Sequence, residues 1–155
     1  MRPSLTRQYG FWRPYIGQAI HRFSIPKILR RYFLYDRKLL ANLSRCAWEA
    51  LKIFLQEAVP KNDPTPGAVI DVQTFGDFLG FNLHCHILVT DGCFYGNGGM
   101  FRVVPPFELK KLEALFRHKV FRMLLNKGKI TEEMIRMLYA WKHSVCYKPG
   151  HFTCY

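Results

Sequence analysis

The chain has 155 residues, 49% of them hydrophobic and 22% charged, enough for one domain around a single core and outside the composition of a disordered segment. Twenty-three Lys and Arg against eleven Asp and Glu leave a formal charge of +12, and the commonest partner for such an excess is the phosphate backbone of nucleic acid. No apolar run approaches the roughly 18 residues that a membrane helix needs.

The opening stretch "MRPSLTRQYGFWRPYIG" is basic and aromatic and lacks the continuous apolar core of a secretory signal. A cytoplasmic chain with no membrane partner is therefore expected. Trp12, Ile16, Ala19, Ile20 and Phe23 fit a helix begun near Pro14, whereas "FSIPK" ends like an edge strand, and the residues leave this choice open. Over 36–59 the apolar positions Leu39, Leu40, Leu43, Ala47, Leu51, Phe54 and Leu55 fall at helical spacing, with Asp36 placed to cap the start. Arg37, Lys38, Arg45 and Lys52 add positive charge off that stripe. "PKNDPTPG" (60–67) then reads as a loop.

"AVIDVQTF" (68–75) reads as a strand, "GDFLG" as a turn, and "FNLHCHILVTDG" (81–92) opens a second strand. There Phe81, Leu83, Cys85, Ile87 and Val89 share one face, and Asn82, His84, His86 and Thr90 the other, broken only by Leu88. "TDG" and "GNGG" punctuate a further hairpin returning through "MFRVV". A helix over 107–128 carries Leu109, Leu112, Leu115, Phe116, Val120, Met123 and Leu124 on one stripe, with Gly128 just past its end. A last helix over 131–142 opens with Thr131 as cap and two glutamates in its first turn. The tail beyond Ser144 shows no periodicity. The five cysteines, Cys46, Cys85, Cys93, Cys146 and Cys154, form no Cys-x-x-Cys, and the odd count in a chain without a signal peptide points to reduced thiols. Cys46 and Cys85 read as small core residues.

Side chains at i and i+2 of a strand point the same way, so His84 and His86 can converge on one ion. Imidazole suits Mn²⁺, Fe²⁺, Co²⁺, Ni²⁺, Cu²⁺ or Zn²⁺, and a third ligand is needed for firm binding. If 68–75 pairs antiparallel with Gln73 opposite His84, Asp71 lies opposite His86 and all four side chains gather; a one-residue slip turns them away. His21, His118, His143 and His151 have no such company.

"QTFGDFLGFNLHCHILVTDGCF" resembles the His-hydrophobe-His core of the two-tyrosine HUH rolling-circle insertion-sequence transposases. "SIPKILRRYFLYDRKLLANLSRCAWEAL" is similar to the stretch preceding that core, and "YGFWRPYI" to a segment nearer the family's start. The likeness runs from about Tyr9 to about Ser144. It implies an α+β fold with a central antiparallel sheet, helices packed on one face and a ferredoxin-like split βαβ character. It divides the chain into a residual N-terminal segment (1–24), an incomplete transposase core (25–144) and an unstructured or out-of-family tail (145–155).

The activity implied is nicking and strand transfer of single-stranded DNA in transposition. His84 and His86 would hold a divalent ion, Mn²⁺ or Mg²⁺, against the scissile phosphate while a tyrosine attacks it; Gln73 and then Asp71 are the candidate further ligands. Arg30, Arg31, Arg37 and Lys38 are the candidate DNA contacts. The sequence departs from the family in two respects. It has no cysteine-rich zinc module between "YGFWRP" and "SIPK", and none of its tyrosines form the family's pair four residues apart. Tyr147 and Tyr155, in the tail, are the remaining candidate nucleophiles. The expectation is a truncated remnant, inactive alone unless a full-length transposase partners it. A basic single-stranded nucleic-acid-binding module without catalysis is the alternative.

Overall fold

Alternation of apolar and polar residues from Phe81 onward produces the longest strand of the fold, and the rest of the sheet is built around it. A computed structural model describes residues 19–59, 63–76, 80–97, 99–104, 109–140 and 147–149. In chain order these form β1 (Ala19–Ser24), α1 (Lys27–Tyr35), α2 (Lys38–Ala58), β2 (Thr65–Phe75), β3 (Phe81–Tyr95), β4 (Met100–Val103), α3 (Leu109–Asn126), α4 (Glu132–Ala140) and β5 (Tyr147–Pro149). The architecture is α+β with an antiparallel sheet ordered β2-β3-β1-β5. β4 pairs with the far end of β3, Cys93 standing between Pro66 of β2 and Arg102 of β4.

Leu83, Cys85, Ile87 and Val89 of β3 and Phe23 of β1 are buried in one core with Leu39, Leu43, Ala47, Ala50, Leu51 and Leu55 of α2. α3 contributes Leu112, Phe116, Val120, Phe121 and Leu124 to it. The Phe116 ring stacks on Phe23 at 4.5 Å between centroids, a contact worth about 1 kcal/mol beyond the area it buries. The Cys93 thiol donates to the Leu55 carbonyl at 3.6 Å, tying β3 to α2. The other face of the sheet is more open: Val69 and Leu88, paired across the ladder, are exposed there, and so is Asp71. No helix among the described residues is long and apolar enough to cross a membrane.

The predicted helices and their signals largely hold. Thr131 accepts the Met134 N–H at 3.2 Å and so caps α4, whose first turn holds Glu132 and Glu133. Gly128 takes φ +65° just past α3, and Lys129 N–H reaches back to the Leu124 carbonyl at 2.9 Å.

Other boundaries move. The choice left open before "SIPK" resolves to a strand at 19–24, and β1 is interior, flanked by β3 and β5, not an edge. The residues before 19, including Trp12 and Ile16, lie outside the described residues. Of "PKNDPTPG", residues 60–62 lie outside the described residues, Asp63 and Pro64 belong to no strand or helix, and Thr65, Pro66 and Gly67 join β2, the ladder absorbing them with a register shift between Pro66 and Ala68. "TDG" is not a turn; β3 runs through it to Tyr95, and the Thr90 hydroxyl, 2.8 Å from the Gly92 carbonyl, also accepts the Gly67 N–H at 3.0 Å. Asp36 does not sit at the cap of α2, which Arg37 occupies without a capping side chain. The Asp36 carboxylate pairs chiefly with Lys129 at 3.1 Å, and that bond, aided by the Lys38 N–H at the start of α2, holds its carboxyl below the usual range. Within the tail, Tyr147–Pro149 adds a short strand beside β1.

Candidate metal centre

The β2–β3 ladder has the register in which the polar side chains gather: Gln73 stands opposite His84 and Asp71 opposite His86. Directly opposed residues share a face. On the other side of β3 the same rows continue into Ser24 (opposite His84) and Arg22 (opposite His86) of β1. His84 is only 3% exposed, the one buried polar residue among those described, and His86 is half-buried.

Gln73 Oε1 lies 3.1 Å from His84 Nε2 and 3.0 Å from His86 Nε2, and the two rings meet edge to face with centroids 4.7 Å apart. His84 Nδ1 is 2.6 Å from the Asn82 carbonyl oxygen. A carbonyl only accepts, so Nδ1 carries the proton, and in neutral His84 the lone pair is on Nε2. Burial, with the Asn82 carbonyl opposing it and the charges of Arg22, His86 and Arg30 adding to it, pushes the His84 imidazole below its ordinary pKa and favours that neutral form. The Nε2 lone pair thus faces the lone pairs of the Gln73 oxygen across 3.1 Å. Two arrangements relieve that repulsion: the amide turns to donate through its nitrogen, or a cation takes the space between the acceptors.

The donor set fits a divalent ion. Neighbouring ligands of an ion bound at about 2.1–2.2 Å stand about 3.0 Å apart, which is the spacing Gln73 Oε1 keeps from each imidazole nitrogen. Two imidazoles suit borderline cations such as Fe²⁺, Ni²⁺ or Zn²⁺, the amide oxygen suits harder ones, and of the hard ions Mn²⁺ tolerates imidazole better than Ca²⁺ or Mg²⁺. The Asn82 carbonyl fixes the tautomer of His84 from behind, as carbonyl or carboxylate partners do for ligating histidines. Among the described residues no three of His, Cys, Asp and Glu gather to hold a metal ion, here or at any other place; the third donor of this cluster is an amide. No family model matches the chain, and no match to it was found among curated proteins or solved structures.

The remaining candidates divide by distance from this cluster. Asp71 holds its place in the ladder but is exposed and, among the described residues, makes no hydrogen bond to either ring. Arg30 is half-buried beside the site, its Nε donating to the Ile25 carbonyl at 2.9 Å. Arg31, Arg37 and Lys38 are exposed around the α1–α2 corner. Tyr147 takes the register position of Phe23, whereas the His86–Arg22 row continues through Lys148. Tyr155 lies outside the described residues. Arg22 was absent from the sequence-derived candidates, yet its Nε is buried and has no hydrogen-bond partner among the described residues. No pattern within 19–24 could have identified it, because its place beside His86 depends on β1 being a strand and on its register.

Proposed function

We propose that this chain is the metal- and strand-holding core of an HUH-type transposase, binding a divalent ion and a phosphodiester of single-stranded DNA on the open sheet face. The observation that carries this reading is the Gln73 carbonyl oxygen set 3.0–3.1 Å from the Nε2 atoms of both strand-spaced histidines. His84, His86 and Gln73 are the residues that would hold the ion. When bound, the metal supplies Lewis-acid polarisation of a phosphate oxygen.

The three donors carry no negative charge, so the ion's charge is left for an anion to neutralise. Arg22 offers a buried N–H, without a partner among the described residues, in the adjacent position, and Arg30 adds a second guanidinium. A phosphodiester would satisfy both, and ion and strand are therefore expected to bind cooperatively. Calorimetry with Mn²⁺, with and without an oligothymidylate, tests this. Wild type should bind Mn²⁺ weakly alone and about tenfold more tightly with the strand present. The His84→Ala, His86→Ala double variant should lose the heat in both conditions; unchanged binding by that variant would sink the reading.

The alternative, a basic single-stranded nucleic-acid module without metal, draws on one feature at the end of the β2–β3 ladder, beyond the register shift that follows Gln73. Phe75 is 54% exposed two residues beyond Gln73, where a base could stack on it. Strand binding that persists in the double variant and ignores Mn²⁺ would favour this second reading.

A further inference from the structure

A second basic site lies on the helical layer. α2 and α3 run antiparallel, with Asn42 near Asn126 and Lys127 at one end of a cleft and Glu49 against Lys119 at the other. The cleft has a volume of about 480 Å³, within the range of sites that take a mononucleotide-sized ligand.

Four cations line it, Arg45, Lys119, Arg122 and Lys127, against a single carboxylate, Glu49. Glu49 is already committed to Lys119 at 3.0 Å. Arg45, Arg122 and Lys127 are exposed and have no ion-pair partner among the described residues. Like charges gathered around a concavity repel one another and concentrate positive potential in it. An anion seated there relieves the repulsion, and two guanidiniums facing one space match phosphate oxygens in fork geometry.

We propose that the α2–α3 cleft binds the phosphate of a nucleotide unit, free or within a strand, through Arg45 and Arg122, separately from the sheet-face site. The probe is a labelled oligothymidylate of about a dozen residues, long enough to span a typical single-strand site, titrated by fluorescence anisotropy in EDTA so that no metal contributes. The test variant is Arg45→Glu, Arg122→Glu. The control is Lys52→Glu, Arg136→Glu, which changes net charge equally at exposed positions on α2 and α4 outside the cleft.

The cleft variant should bind about tenfold more weakly than the control. Its salt dependence should lose about 1.4 from the log–log slope, since two single-strand phosphates contribute about 0.7 each. Equal weakening in both variants would overturn the proposal, reducing the effect to overall charge, and so would no weakening in the cleft variant. Displacement of the oligonucleotide by free thymidine triphosphate in wild type, lost in the cleft variant, would assign the cleft to free nucleotide. Failure to displace, with the cleft variant still weakened, would assign it to the strand. Because no metal is present, failure here leaves the histidine site untouched, and failure there leaves this one untouched.

Discussion

Cys85 lies between His84 and His86 in sequence but faces the core, fully buried, while its neighbours face the site. Burial, with the Asp71 charge adding to it, pushes its thiol up to about 12, and burial likewise pushes Cys46 up to about 11. A rise of about three units leaves Cys85 about a thousandfold less thiolate at neutral pH, and one of about two units leaves Cys46 about a hundredfold less; the thiolate is the reacting form. Iodoacetamide at pH 8 should therefore leave Cys46 and Cys85 unmodified in the native protein and alkylate both in urea, as read by peptide mass spectrometry. Rapid native labelling of Cys85 would mean that β3 does not present this face to the core. The same alternation made the histidine pair legible from sequence, since side-chain direction in a strand depends only on parity. Gln73 was reachable as well, once an antiparallel register was assumed. Arg22 and the Asn82 carbonyl were not, because one depends on a strand with no sequence pattern of its own and the other on a backbone atom.

Elements with an uninterrupted apolar stripe or a clear cap were readable, as α3, α4 and most of α2 illustrate. The helix expected over 36–59 begins close to the start of α2, but α1 (Lys27–Tyr35) before it has no counterpart among the elements expected from sequence, and little in the chain separates the two. No Gly or Pro marks the break; the chain turns at Asp36 and Arg37, where the Asp36 N–H bonds back to the Tyr32 carbonyl and its carboxylate reaches Lys129. "TDG" misled for a different reason. Asp and Gly favour turns when their backbone groups are free, but here β2 and β4 occupy both edges of β3 near Gly92. Gly92 is needed because β4 passes so close that a Cβ would fall on the Arg102 carbonyl. Gly92→Ala should cost about 1–3 kcal/mol through displaced backbone. The expected readout is a lower urea midpoint, with hydrogen exchange speeding up first in β4. An unchanged midpoint would show that β4 is not seated against β3 at this distance.

Across the whole molecule, positive charge is distributed over two layers while the candidate metal ligands are confined to one. Arg22 of β1 stands beside His86 and Arg30 of α1 acts on His84 from the first helix, while Arg45, Lys119, Arg122 and Lys127 line the α2–α3 cleft. A chain so arranged is expected to hold single-stranded DNA with strong salt dependence, each neutralised phosphate contributing about −0.7 to the log–log slope. Holding a strand differs from cutting it covalently. Nucleophile and metal act as a unit in such chemistry, so the presence of one half does not deliver a fraction of the rate. The eight tyrosines include no pair four residues apart, and Tyr147 sits in the Phe23 row of the ladder while the His86 row passes through Lys148. This chain incubated with labelled single-stranded DNA and Mn²⁺ should accordingly give no protein-linked label on a denaturing gel. Slow hydrolytic nicking is compatible with that result, since water attack leaves no link to the protein. A metal-dependent shifted band abolished by Tyr147→Phe or Tyr155→Phe would overturn the prediction and make the tail the source of the nucleophile.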